Sequence, residues 1–263
     1  MAPRSLRLPP SASTRTGAFP ATRLTLVQRA GAAHPDRAAA LQSLAAAYWK
    51  PVYKYLRLRW RLAPEAAEDL TQDLFAELLQ NDALARFDPA RARFRTWLRV
   101  QADGLAGHAR EAAGRVKRGG RATILPLDFG DAEGELRHAE PAAPDDPEAL
   151  FDREWVRALF GGAVDSLRAR CEGGRALHFE LFRAYDLQPA EPRPTYAELG
   201  RQHSLSESQV LNHLAWARAQ FRREALERLR ELSGSEEEYR EDARRLFGEV
   251  PDAARAAAPG KAP

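Results

Sequence analysis

The residues of this sequence best suited to recognition chemistry are arginines interleaved with aromatic rings. In the stretch FDPARARFRTWLR, Arg91, Arg93, Arg95 and Arg99 alternate with Phe87, Phe94 and Trp97. Guanidinium groups can hold a nucleic-acid backbone while a ring stacks on an unpaired base. Phe94, Trp97 and Leu98 also have helical spacing, so Trp97 stands open between core packing and contact. A second set lies in SLSESQVLNHLAWARAQFRR, from Ser204 to Arg223. Here Val210, Leu214, Ala217 and Phe221 mark an inward stripe, which leaves Ser208, Gln209, Asn212, His213 and Trp216 outward, followed by Arg218, Arg222 and Arg223. Amide and imidazole groups bond base edges in a major groove, and trailing arginines meet phosphates. The plain alternative is a helical hairpin whose polar face is solvated. A third set, AEDLTQDLF, offers Glu68, Asp69, Gln72 and Asp73 to a basic partner surface, or simply to water.

Bond-making chemistry finds no comparable set. The sequence has no HExxH, no GxxxxGK[ST], no GxGxxG after a strand, no nucleophile elbow and no grouped Cys and His. His34, His108, His138, His178, His203 and His213 are scattered, and KRGG reads as a basic helix end before a turn. No catalytic residue, metal ligand or cofactor is therefore assigned.

The elements that must carry these sets are helices. Ala and Arg are abundant and strand-like alternation is nearly absent, which predicts an all-α protein. With 263 residues, two modest domains are expected. Apolar residues recur at helical spacing from Leu24 to Val100, with breaks at Gly31 to Pro35, Pro64, and Asp88 with Pro89. PEAAEDLTQDLFAELLQ begins a helix at Pro64 and lines Leu70, Leu74, Phe75 and Leu78 along one side. FRTWLRVQADGLAGHAR supplies the next. Net charge is only +3, yet Ala63 to Asp82 holds six acids and no base, while Arg86 to Arg121 holds ten bases against three acids. Periodicity lapses between Gly119 and Pro147, and Asp128 to Glu154 carries ten acids against two bases. This reads as an acidic flexible linker. Helices resume with PEALFDREWVRALFGGAVDSLRARC and RALHFELFRAYDL, and SGSEEEYREDARRLFG adds a last short one.

TYAELGRQHSLSESQVLNHL holds two capping boxes in series, Thr195 with Glu198 and Ser206 with Gln209. Helices joined so tightly cross steeply, and Leu199, Leu205, Val210 and Leu214 are placed to fill the corner of a helix-turn-helix. Ser204 falls where such turns usually place Gly, which requires a left-handed residue at some cost. The lone Cys171 excludes an internal disulfide and suits a reducing compartment, with a small buried apolar role. No apolar run approaches the ~20 residues of a membrane span. The basic segment at 1–18 reads as a disordered arm rather than a transit peptide, and 249–263 as a frayed tail.

Together these pieces resemble the RNA polymerase sigma factors of the extracytoplasmic-function type, most nearly the variety common in planctomycetes and acidobacteria. FPATRLTLVQRA is similar to their opening segment, with Leu24 in place of the usual Trp. AYWKPVYKYLRLRW and APEAAEDLTQDLFAELL resemble region two, FDPARARFRTWLRVQADGLAGHAREAAGRVKRGG its DNA-facing continuation, and TYAELGRQHSLSESQVLNHLAWARAQFRREAL region four. The resemblance implies a region 2-like domain over 19–118, the linker over 119–146 and a region 4-like domain over 147–248. It implies that Asp69, Leu70, Gln72, Asp73 and Phe75 dock on the clamp helices of the polymerase largest subunit. By the same resemblance Phe87, Arg91, Arg93, Phe94, Arg95, Trp97 and Arg99 serve the −10 element, and Ser208, Gln209, Asn212, His213, Trp216, Arg218 and Arg222 the −35 element. Gly104 and Leu211 depart from residues common in relatives. The implied partners are core RNA polymerase, including its flap region, promoter DNA, and an anti-sigma protein or other regulator, in the cytoplasm. Two other readings remain: a helix-turn-helix transcriptional regulator that never docks on core polymerase, and a helical protein-interaction module without a DNA role.

Overall fold

The computed structural model describes residues 25–31, 34–80, 82–112, 127–138, 146–188 and 191–248. The arm at 1–18, the tail at 249–263 and most of the expected linker lie outside the described residues. Every regular element among the described residues is helical, as the composition predicts.

A short α1 (Leu26–Gly31) precedes α2 (Arg37–Arg59), the central helix. Tyr48, Val52, Tyr53, Tyr55 and Leu56 are all nearly fully buried, so α2 is covered on most of its circumference. Its aromatic rings meet a neighbour in three directions. Tyr48 meets Phe94 of α4 (Phe94–Ala112) edge-on at 5.3 Å, Trp49 meets Phe129 of α5 (Phe129–His138) at 5.3 Å, and Tyr55 meets Phe151 of α6 (Pro147–Cys171) at 5.7 Å. Such pairs contribute about 0.5–1.5 kcal/mol each beyond area burial. Helix α3 (Pro64–Gln80) buries Leu70, Leu74, Phe75 and Leu78, the stripe its spacing predicts.

A second cluster unites Leu167 and Cys171 of α6 with Leu181 and Phe182 of α7 (Ala176–Phe182), Leu199 of α8 (Tyr196–His203), and Val210, Leu214 and Ala217 of α9 (Glu207–Leu232). Cys171 is buried there as a small apolar group. Two helices bridge the clusters. At 1.5 Å per residue α6 is about 37 Å long; it places Leu150, Phe151, Trp155 and Leu159 in the first cluster and Leu167 in the second. Helix α9 does the reverse, sending Leu226, Leu229 and Leu232 back to the first cluster, where Tyr239 and Ala243 of α10 (Glu236–Phe247) join them.

Two features differ from the expectation. The acidic stretch expected as a flexible linker contains α5, whose Asp131 and Glu135 pair with Lys50 at 2.5 and 2.9 Å and whose Glu133 pairs with Arg57 at 2.7 Å. Acids that look solvated in sequence are here opposed to bases of α2. The helices of 147–248 also share the first cluster with α2, because both long helices exceed the length of a single small core. Tyr48 of α2 donates its hydroxyl to the Leu232 carbonyl at the end of α9, 3.2 Å away, and burial pushes that phenol above its ordinary range.

Candidate nucleic-acid and protein interfaces

The acidic face of α3 is formed by the side of the helix opposite its buried stripe. Asp69 and Asp73 are exposed and Gln72 is half-exposed. Asp73 is held above the usual carboxylate range by partial burial and by the neighbouring charge of Asp69. Leu70 and Phe75, expected beside them as docking residues, instead sit in the core at 9% and 3% exposure. They hold α3 against α2 and offer no surface in this conformation. The expected docking set is thus split, with Asp69 and Asp73 at the surface and Leu70 and Phe75 packed beneath it.

The basic segment starts at the loop before α4. Asp88 accepts the Ala90 N–H at 3.0 Å and pairs with Arg91 at 3.3 Å, so the turn is self-braced while the Arg91 side chain stays in solvent. Phe87, Phe94 and Trp97 form one aromatic group, with ring centres 5.4 to 5.7 Å apart. Phe94 is buried and Trp97 half-buried, so Trp97 packs on both rings while part of it stays exposed. Arg99 bonds Asp103 at 3.1 Å one turn along α4.

Arg93 and Arg95 are where the structure departs furthest from expectation. Arg95 is 4% exposed and lies 4.5 Å over the Trp155 ring. Its guanidinium meets Asp152 of α6 at 2.8 Å, and Asp242 of α10 twice, at 2.5 and 2.9 Å. Glu238 stands 3.4 Å away, and Arg93 pairs with Glu241 at 2.7 Å. Asp152 also pairs with Arg245, and although burial opposes it, Arg245 and Arg95 hold this carboxyl below its ordinary range. Burial pushes the Glu238 carboxyl the other way, above the usual carboxylate range. Arg95 is thus engaged by acids of α6 and α10 in this conformation. The acids EEEYRED are plain in the sequence, but nothing local to them names their partner.

The helix-turn-helix forms through both expected capping boxes, Thr195 with Glu198 and Ser206 with Gln209. Ser204 is left-handed at φ 57° and ψ 41°, as the turn requires. Leu199, Val210 and Leu214 fill the corner, with Leu205 packed against them. Gly200 was not singled out by sequence, yet a Cβ there would lie 2.6 Å from the Leu205 carbonyl oxygen. Ser208, Gln209 and Asn212 are exposed along the start of α9. The Gln209 carboxamide oxygen accepts the Ser206 N–H at 2.8 Å, so its amide NH2 is the part that faces outward chemistry. His213 and Trp216 are half-buried, packed on His178 of α7 at 4.3 and 4.6 Å. Arg218 forks onto Asp186 at 3.0 and 2.9 Å, and Arg222 lies over the Phe247 ring at 5.3 Å. His213, Trp216, Arg218 and Arg222 are thus half-exposed, each also engaged by a neighbouring element that helix periodicity does not reveal.

Among the described residues no group of His, Cys, Asp and Glu is arranged to hold a metal ion, and no helix is long and apolar enough to cross a membrane. Residues 44–115 match the family model of sigma-70 region 2. The matched span runs from Leu44 in α2 through α3 and the aromatic loop to the end of α4; α8 and α9 lie outside it. No curated protein and no solved structure matches the chain.

Proposed function

We propose that this protein is a sigma factor of the extracytoplasmic-function type, which lends core RNA polymerase its choice of promoter. The observation that carries the reading is the sigma-70 region 2 match over residues 44–115, which coincides with the unit bearing both the acidic α3 face and the aromatic-basic loop. Asp69, Gln72 and Asp73 dock on a basic polymerase surface, the clamp helices of the largest subunit. The loop around Phe87 and Arg91, with Trp97 beside it, receives melted −10 DNA. Extruding a base costs a few kcal/mol, which stacking and phosphate contacts offset. Ser208, Gln209 and Asn212 at the head of α9 read the −35 duplex, and the two-capped turn supports that role by fixing the entry angle of α9. The role is one of recognition, not of bond-making catalysis.

The test is run-off transcription from genomic fragments with purified core polymerase, with start sites mapped. Addition of the protein should produce discrete transcripts preceded by a common −10 and −35 pattern. Asp69→Lys with Gln72→Ala should abolish both the transcripts and co-purification with core enzyme. Undiminished co-purification of that variant would remove the proposed docking face, and DNA binding without any transcript would favour a regulator that acts without polymerase docking.

A further inference from the structure

We infer that α10 is an intramolecular substitute for promoter DNA, lying on the nucleic-acid face of α4 so that Arg93 and Arg95 reach DNA only after α10 leaves. The inference rests on the reading of that face as the −10 site and adds a closed state to it.

Three features of α10 and the turn before it suit a stand-in for a bound strand. First, Glu238, Glu241 and Asp242 fall on one side of α10 and face the arginines, with Arg93–Glu241 at 2.7 Å and Arg95–Asp242 at 2.5 and 2.9 Å. Guanidinium groups donate charge-assisted hydrogen bonds to carboxylate and phosphate alike. Second, Glu238 accepts the backbone N–H of Phe94, the first residue of α4, at 3.3 Å. The first turn of α4 contains no acid of its own, so α10 supplies the anion that a helix N-terminus favours. Third, the turn before α10 covers the loop proposed to receive the extruded base. Gly234 lies so close to the Phe87 ring that a Cβ would come within 2.7 Å of it, and its N–H donates to Glu238 at 2.8 Å.

The chemistry of this contact suits exchange. The face of α10 over α4 is held by ion pairs, while Tyr239 and Ala243 pack in the core and set the cost of opening. A buried ion cluster contributes little net stability, because desolvation offsets most of its Coulombic attraction. Phosphates arriving on the same arginines replace one anion with another and so offset the loss of the ion pairs.

The experiment compares the full-length protein with Glu241→Gln and with the double variant Glu238→Gln, Asp242→Asn. Fluorescence anisotropy measures binding of a labelled A/T-rich single-stranded oligonucleotide, with helix content followed by circular dichroism. Masking lowers apparent affinity by the fraction of open molecules, so the double variant should bind about tenfold tighter and Glu241→Gln about threefold tighter. Folded variants that bind no tighter than wild type overturn the inference. Hydrogen exchange on the unaltered chain keeps the test open if the double variant does not fold. Saturating oligonucleotide should speed exchange of amides in 236–247, and unchanged protection overturns the inference. Tighter oligonucleotide binding with no run-off transcript leaves the closed state standing and removes the sigma-factor reading. Active transcription with unaltered affinity and protection does the reverse.

Discussion

Replacing Gly200 with Ala puts a Cβ 2.6 Å from the Leu205 carbonyl oxygen, at the inside of the α8–α9 corner. Ordinary contact begins near 3.4 Å, so the turn or the helix must give by about 0.8 Å in a close-packed setting. The turn has little room to give, because Ser204 and Leu205 both donate their N–H groups to the Gly200 carbonyl, the latter at 2.8 Å. Two effects compete. Ala is favoured over Gly inside a helix by up to about 1 kcal/mol. Overpacking costs about 1–3 kcal/mol and a weakened hydrogen bond about 1 kcal/mol more. The net expectation is a loss of about 1–3 kcal/mol, read as a lower midpoint in urea at unchanged slope. Gly161→Ala in α6 is the control, since nothing lies within 4 Å of its Cβ position. With no clash to offset propensity, it should stabilise by about 0.5–1 kcal/mol. A Gly200→Ala midpoint equal to or above wild type would refute the account of the corner as a backbone-on-backbone contact that only a missing methyl permits.

Two further predictions follow from local geometry. Ser204→Gly removes the left-handed strain at φ 57°, set against glycine's greater entropy when unfolded, and should raise stability by about 0.5–1 kcal/mol in thermal or urea unfolding; a loss would refute the strain. Glu133 accepts from Arg57 at 2.9 and 2.7 Å and from Tyr53 at 2.9 Å, and Arg57 chiefly holds its carboxyl below the ordinary value of 4.5. A depressed folded-state pKa contributes stability that is present above the unfolded value and lost as pH falls through the folded one. The melting-temperature gap between wild type and Glu133→Gln should therefore be full near neutrality and close as pH drops below about 4.5. A gap that persists unchanged in acid would refute the ion pair as its source.

What the chain discloses in one dimension follows from short-range physics. A 3.6-residue apolar period predicts α3, whose buried Leu70, Leu74, Phe75 and Leu78 are the residues that period selects. Capping is a three-residue interaction, and both boxes at Thr195 and Ser206 form where the side chains sit in sequence. Ser204 was readable for the same reason, since a tight turn between two capped helices leaves a single position for the left-handed residue. Helix α5 was not readable. Its ten residues are too few to be a stable helix alone, and their support is Trp49, Tyr53, Lys50 and Arg57 of a helix some eighty positions earlier.

The recognition residues divide along the same line. Helical period and polarity by themselves determined an all-α chain, the acidic face at Asp69, Gln72 and Asp73, the aromatic-basic loop, and the exposed Ser208, Gln209 and Asn212 at the head of α9. Only the tertiary structure decided that Arg95 is buried against Asp152 and Asp242, that Arg218 is taken by Asp186, and that Trp216 leans on His178. Those partners lie between 32 and 147 positions away. A periodicity names the face a side chain turns to but not what the rest of the chain brings to that face, and for a charged group the second fact sets both its exposure and its function.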